Sequence, residues 1–228
     1  MRIIFVRHGH PNYERDCLTE LGVKHASAAA LRLKDEGIEQ IFSSTCGRAY
    51  ETASHLAETL HLPIVPFDFM REITWGGMDG EELPLNGHPW DTAERMVAEG
   101  KPIMDPDWTT GEIFRRNSVV TCIRNIAHCT DEWLQTLGYT REGHYYRVTG
   151  TPPHTVAAFG HGGASTAILS HLLNLPFPLV CTTMGPDYTG ITIVTLPDTS
   201  GALVTPRIAM LNDAKHIQGM TVKNYFGN

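Results

Sequence analysis

The chain has 228 residues, 42% of them hydrophobic, and 18 Lys and Arg against 25 Asp and Glu give a net charge of −7. That length buries a full core as one large domain, with or without an insertion, and the composition excludes wholesale disorder. With no basic stripe to offset its carboxylates, the chain is not expected to bind nucleic acid or an anionic membrane, so any anion must be held by a local pocket.

The apolar run Ile3 to Val6 ends abruptly at Arg7-His8-Gly9. It reads as a buried central strand, and the ends of such strands in open α/β sheets are where ligands bind. Arg7 and His8 would then rise from a crevice floor, with Gly9 permitting close backbone approach. A polar loop follows to Cys17. Thr19 reads as a helix N-cap, Ala26, Ala29, Ala30 and Leu33 keep helical spacing, and Gly37 supplies the stop. Ile38 to Phe42 predicts a second strand, ending in Ser43-Ser44. A helix with Ala49, Ala53, Leu56, Ala57 and Leu60 on one face comes next, closed by Pro63.

From Pro66 the pattern breaks. Residues 74–117 are rich in Gly, Pro and Trp and contain one helical piece near Thr92 to Glu99, which predicts a small cap inserted over the sheet edge. Val120, Ile123, Ala127, Leu134 and Leu137 mark a long helix stopped by Gly138, and Tyr145-Tyr146 reads as an extended edge segment. Thr155 to Phe159 is a further core strand, followed by Gly160-His161-Gly162-Gly163 and a helix through Ala167, Ile168 and Leu172. Two late strands, Ile191 to Leu196 and Arg207 to Leu211, should pair as a hairpin across Pro197 to Gly201. The alternation predicts a three-layer α/β/α sandwich with a mostly parallel central sheet and a cap, as a single domain over 1–228.

The cysteines Cys17, Cys46, Cys122, Cys129 and Cys181 are odd in number and have no paired zinc spacing, as expected of reduced thiols in a cytoplasmic protein. Ile3 to Val6 is too short for a signal-peptide core, and no stretch approaches the ~20 apolar residues of a membrane span.

Arg7-His8-Gly9, Ser43-Ser44 to Arg48, Arg71-Glu72 and His161-Gly162 share one layout: a strand ends, a polar cluster appears, and a helix or loop begins. Phosphate chemistry needs such parts. Arg supplies bidentate donors, and helix N-termini supply N–H groups that Arg48 and Gly162 would flank. Neutral imidazole can attack phosphorus, and a carboxylic acid of raised pKa can protonate a leaving alkoxide. Singly, each residue has a plainer reading: Arg48 on the surface, Glu72 as a solvated carboxylate, His161 in a turn.

Together and in order, these segments resemble the histidine phosphatase superfamily, in the branch that includes cofactor-dependent phosphoglycerate mutases. The matching motifs are Arg7-His8-Gly9, Leu18-Thr19-x-x-Gly22, Ser43-Ser44-x-x-x-Arg48-Ala49-x-x-Thr52-Ala53, Arg71-Glu72-Ile73, Gly160-His161-Gly162-Gly163 and Leu211-Asn212-Asp213-x-x-His216. The resemblance implies that His8 is a nucleophile forming phosphohistidine, that Arg7, Arg48 and His161 hold the phosphoryl oxygens, and that Glu72 is the acid and base. It implies no metal and no cofactor. Asn212, Asp213 and His216 are expected to tie down the end segment.

Where the mutases usually carry Asn five residues past the triplet, this chain has Glu14, beside His10, Asn12, Tyr13 and Thr19, which are expected in the outer pocket. The insertion lacks a dense basic cluster. Both departures favour a phosphatase over mutase-type phosphoryl transfer, and a phospho-ligand-binding protein without turnover is the non-enzymatic rival. Pro11 and Gly162 fit the acid phosphatase and phytase branch poorly. No cysteine has Arg six residues on, and Asp105-Pro106-Asp107-Trp108-Thr109 lacks the strand that an aspartate nucleophile needs. The expected partner is a small phosphorylated substrate, with a homodimer left open.

Overall fold

Alternation along the first strand divides the molecule's apolar residues between two cores. Ile4 and Val6 join Ile41, Ala157 and Phe159 against Ala30, Leu33 and Leu56. Ile3 and Phe5 face the other way and join Phe42, Val156 and Ala158 against Trp133 and Ile168. A strand with side chains on alternate faces, buried on both, requires helices on both sides.

The computed structural model describes residues 1–220, so residues 221–228 of the expected domain lie outside it. In chain order the elements are β1 (Arg2–Arg7), β2 (Pro11–Asn12), β3 (Cys17–Leu18), α1 (Glu20–Leu33), β4 (Gln40–Ser44), α2 (Gly47–Leu60), β5 (Ile64–Phe67) and α3 (Pro89–Ala98). They continue with α4 (Val119–Thr136), β6 (Tyr139–Glu142), β7 (Tyr145–Val148), β8 (Thr155–Gly160), α5 (Gly162–Leu173), α6 (Phe177–Thr183), β9 (Ile191–Thr195), β10 (Leu203–Val204) and β11 (Arg207–Asp213). The main sheet has six strands in the order β11-β9-β1-β8-β4-β5. Pairs β1–β8, β4–β8 and β4–β5 are parallel, while β9 runs antiparallel to both β1 and β11. The α1–α2 pair packs on one core and α4–α5 on the other, which makes the α/β/α sandwich.

Two local expectations need correction. The late strands pair antiparallel as expected, with Arg207 opposite Thr195, and their connection also contains β10, which pairs with β7. For the same reason Tyr145-Tyr146 lies in the middle of a three-stranded sheet, β10-β7-β6, and not at an edge. The cap helix α3 begins at Pro89 instead of Thr92, because a proline with fixed φ is suited to a helix's first turn. The short helix α6, with Pro176 as its N-cap and Pro178 in its first turn, matches no expectation from the sequence.

Residues 74–117 leave and rejoin the sheet domain at one point. Gly77 bridges Asn117, the Met78 N–H donates to the Arg116 carbonyl, and Asn117 Nδ2 donates to the Gly87 carbonyl. Ala93, Met96, Trp108 and Phe114 from this segment belong to the same apolar cluster as Phe5 and Trp133. Among the described residues no helix is long and apolar enough to cross a membrane.

Candidate active site

Three neighbouring parallel strands, β1, β8 and β4, end side by side, Arg7 lying opposite Gly160. Arg7 and His8 close the first strand, His161 follows the second, and Ser44 closes the third. The loop after β1 is drawn tightly onto α1. A Cβ on Gly9 would lie 2.6 Å from the Gly22 carbonyl oxygen, and one on Gly22 would lie 2.1 Å from that of His10. The close approach that Gly9 permits is therefore to the helix. The Gly9 N–H donates to Thr52 Oγ1 (3.0 Å), which itself donates to the Arg48 carbonyl, so the loop is also fastened to α2.

His8 is buried, with its ring centroid 5.1 Å from that of His161. Its Nδ1 lies 2.7 Å from the Gly9 carbonyl oxygen. A carbonyl can only accept, so Nδ1 carries the proton and Nε2 the lone pair. Burial and the Arg7 guanidinium push the His8 pKa down to about 3, against the pull of the Gly9 carbonyl, and Arg48 lowers it further. The imidazole is neutral at physiological pH.

Arg48, second in α2, is buried. Its Nη1 donates to Asp16 Oδ1 at 2.5 Å and its Nη2 to His161 Nδ1 at 3.0 Å. The lone pair of His161 is therefore on Nδ1, and Nε2–H donates to Ser44 Oγ at 2.9 Å. Burial and neighbouring cationic groups lower the His161 pKa to about 2. His161, expected to hold a phosphoryl oxygen, has both ring nitrogens hydrogen-bonded to protein, to Arg48 and to Ser44. Arg7 donates through Nη1 to the Pro186 carbonyl (2.8 Å), and its guanidinium carbon sits 4.4 Å from the Tyr188 ring centroid.

Glu72 arrives from the far side. Its Oε1 accepts the N–H groups of Ile73 (3.0 Å), Gly163 (2.9 Å) and Ala164 (3.2 Å). Two of these donors, Gly163 and Ala164, belong to the N-terminus of α5, and the Gly162 N–H expected to flank phosphate is not among them. With Oε1 saturated, a carboxyl proton belongs on Oε2. Burial raises the Glu72 pKa, opposed by the Ile73 N–H, the Arg7 charge and the helix N–H groups. The result is a carboxyl biased toward its acid form near the Arg7 guanidinium, in a site whose imidazole is neutral.

Residues 3–116 match the histidine phosphatase superfamily (branch 1). The chain belongs to that superfamily. A probable phosphoglycerate mutase GpmB of Proteus mirabilis (strain HI4320) is 26% identical over 185 residues, 77% of this chain and 76% of that one. The protein of the same name from Yersinia pestis (strain Pestoides F) is 28% identical over 92 residues, 36% of this chain, so the match spans 43% of that relative's length. A solved mycobacterial glucosyl-3-phosphoglycerate phosphatase superposes with a TM-score of 0.63 at 24% identity, covering 92% of this chain and 98% of its own, a likeness of fold.

Not every expected residue of this superfamily member lies at the cleft. Thr19 Oγ1 accepts the Gly22 N–H as the α1 N-cap and lies 2.9 Å from His10 Nδ1, so these two hold each other and the helix start. Asn12 Oδ1 accepts the Arg15 N–H inside a turn. Of the four residues expected in the outer pocket, Tyr13 alone lines the cavity beside Arg7 and Glu72, whose wall also includes Trp75, His88 and Trp90. Asn212 and His216 bind Asp187 and Thr189 and secure the segment that carries Tyr188. Asp16 and Tyr188 have no expectation from the sequence, and Ser44 and Thr52 have no role assigned there. Ser44 and Thr52 do fall inside the second arginine motif, whereas no signal marks Tyr188. Among the described residues no cluster of three or more His, Cys, Asp and Glu side chains is arranged to hold a metal ion.

Proposed function

We propose that this chain is a phosphomonoesterase that works through phosphohistidine, with residues 74–117 acting as the cap over its site. The observation that carries the reading is the 2.7 Å contact from His8 Nδ1 to the Gly9 carbonyl, which reserves Nε2 for attack. In the first step Nε2 bonds to phosphorus while the ester P–O bond breaks, and the departing oxygen takes the proton of Glu72. In the second, Glu72 removes a proton from water as that water attacks phosphorus. The N–P bond breaks, inorganic phosphate leaves and His8 returns to its neutral form. Arg7 and Arg48 offset charge on the equatorial oxygens, most in the transition state, and the scheme calls for no metal or cofactor.

Names of the curated relatives suggest mutase-type transfer. Hydrolysis is favoured because, among the described residues, the cavity beyond Glu72 has no Lys or Arg other than Arg7 to receive a second acidic group. The test is to quench the protein on an aryl phosphate and look by mass spectrometry for a base-stable, acid-labile phosphoryl group on His8. Label at His8, with phosphate release abolished in His8→Ala, is the expected result. Turnover that survives in His8→Ala would overturn the proposal. So would binding of phosphate esters with neither label nor turnover, which is the behaviour of a non-enzymatic phospho-ligand protein.

A further inference from the structure

Two of the four tryptophans, Trp75 and Trp90, line a cavity, although Trp90 also packs in part against the core. Trp108 is 9% exposed and lies against Phe177, with ring centroids 5.6 Å apart and planes at 29°, as core residues do. Trp75 is 38% exposed, Trp90 is partly exposed, and both line a cavity of about 280 Å³ that opens from Glu72 and Arg7. Between them stands His88, 5.0 Å from the Trp75 centroid at 76° and 5.6 Å from the Trp90 centroid at 36°. The His88 ring is itself fixed, Nδ1 lying 2.9 Å from Asp91 Oδ2 at the start of α3. Tyr13, 62% exposed, forms part of the wall, its ring centroid 5.4 Å from the Arg48 guanidinium carbon. Exposed aromatic rings held in a rigid frame around a cavity are the usual makings of a small-molecule subsite, and this one is near the small end of the ~300–1,000 Å³ range.

Charge narrows the choice. Among the described residues Arg7 is the one Lys or Arg on the cavity wall, and the phosphoryl group would engage it. The cap's own cations lie on a separate cleft of about 360 Å³, among them Arg95, Lys101 and Arg116. There Arg95 and Lys101 pair with Glu99 (2.6 and 2.8 Å) and Arg116 with Glu81 (2.7 Å). A carboxylate or second phosphate beyond the scissile ester would meet indole and imidazole faces beside Glu72, with its charge uncompensated.

We infer that the substrate is the phosphate monoester of a compact, uncharged aromatic alcohol, whose ring system enters between Trp75, Trp90 and Tyr13. This rests on the phosphomonoesterase reading and adds the leaving group's identity class. Ring-on-ring contact supplies binding that does not depend on charge, and it aligns the ester oxygen toward Glu72.

The test compares 2-naphthylmethyl phosphate with glycerol 3-phosphate and 3-phosphoglycerate, three alkyl esters that differ chiefly in the body of the alcohol. The expected kcat/KM is highest for the naphthyl ester by about tenfold, and each of Trp75→Ala and Trp90→Ala raises its KM about fivefold while leaving glycerol 3-phosphate within about twofold. Trp75→Phe and Trp90→Phe, which keep a ring, should recover most of the loss. Equal or better turnover of 3-phosphoglycerate, or tryptophan variants that slow all esters alike, would overturn the inference. Quenching of tryptophan fluorescence by each ester separates the two proposals. Tight naphthyl-ester binding without turnover removes the hydrolase and leaves the subsite, whereas turnover without preference does the reverse.

Discussion

One carboxylate of Asp16 grips Arg48 twice over. Oδ1 takes the guanidinium, and Oδ2 accepts the N–H of Gly47, the residue that opens the helix carrying Arg48. A cation in the first turn opposes the helix dipole, and Asp16 offsets that penalty while aiming the side chain at His161. Gly47 is needed for the grip, because a Cβ there would lie 2.1 Å from the Asp16 carbonyl oxygen. Asp16 itself has φ +48°, a conformation Asn tolerates well. Asp16→Asn should therefore fold normally and misplace Arg48, lowering kcat/KM by about tenfold or more and weakening inhibition by vanadate in parallel. Kinetics within twofold of wild type would show that Arg48 needs no such support.

The three N–H groups on Glu72 Oε1 bear directly on leaving-group chemistry. Glu72→Gln keeps an oxygen to accept them but has no proton to give. Hydrolysis of alkyl phosphates should fall by about 10²–10³, and that of nitrophenyl phosphate, whose leaving group needs little protonation, by much less. Because burial raises the Glu72 pKa, the acid form persists above the usual carboxylate range, and alkyl-ester hydrolysis should decline as pH rises through that value. A series of esters with graded leaving groups, assayed across pH, checks both points. Equal slowing of every ester in the variant would remove Glu72 as the acid.

Much of this site is legible in the sequence, because its chemistry demands particular residue types at strand ends. The apolar run before Arg7-His8-Gly9, the one before Gly160-His161 and the Ser44-to-Arg48 spacing place those side chains before any coordinates exist. Local spacing could not reveal relationships that close over long stretches of chain. Asp16 reads as one more loop residue until Arg48, 32 positions on, folds against it. Tyr188 has no motif, yet its ring meets His8, His10, His25 and Arg7. Strand β10 is two residues long and exists only because β7 is there to pair with it. The tryptophans of the insertion look alike in sequence, and only packing separates Trp108 from Trp75 and Trp90.

Adjacent glycines at the start of α5 should respond very differently to a methyl group. A Cβ on Gly163 would lie 2.5 Å from Glu72 Oε1 and 2.4 Å from Ile73 Cγ1, so the acid must be displaced. On Gly162 the nearest atom is Arg7 Nε at 3.7 Å, an ordinary contact. Gly163→Ala is expected to cost about 1–3 kcal/mol in stability and to reproduce the selective loss on alkyl esters. Gly162→Ala should stay near wild type in both. Urea denaturation and the graded ester series read the two effects, and similar behaviour of the two variants would mean that Glu72 is not held by Gly163.

Keeping two imidazoles neutral in the floor of the site has a consequence for stability in mild acid. His8 is held at a pKa of about 3 and His161 at about 2, both from an ordinary 6.5, and buried His25 is lowered to about 4. Above pH 6.5 these rings are neutral whether the chain is folded or not. As pH falls below 6.5 the unfolded chain takes up protons that the folded one refuses, and each histidine then favours unfolding by about 1.4 kcal/mol per pH unit until its folded pKa is reached. Glu72 acts in the opposite sense, since its raised pKa lets the folded state gain a proton first, and this cancels part of one histidine's effect. The lowered carboxyls of Asp16, Glu36 and Asp131 add nothing in this window, because the stability they supply is lost only below the ordinary carboxylate range. Unfolding free energy should therefore drop by the order of 2 kcal/mol or more between pH 6.5 and 5, where a protein without buried neutral histidines would be nearly flat. Urea midpoints at half-unit intervals measure it, and His8→Ala should flatten the slope by one ring's share. A midpoint that is constant or rising over this range would mean that the imidazoles accept protons in the folded state, and with that the neutral nucleophile would be lost.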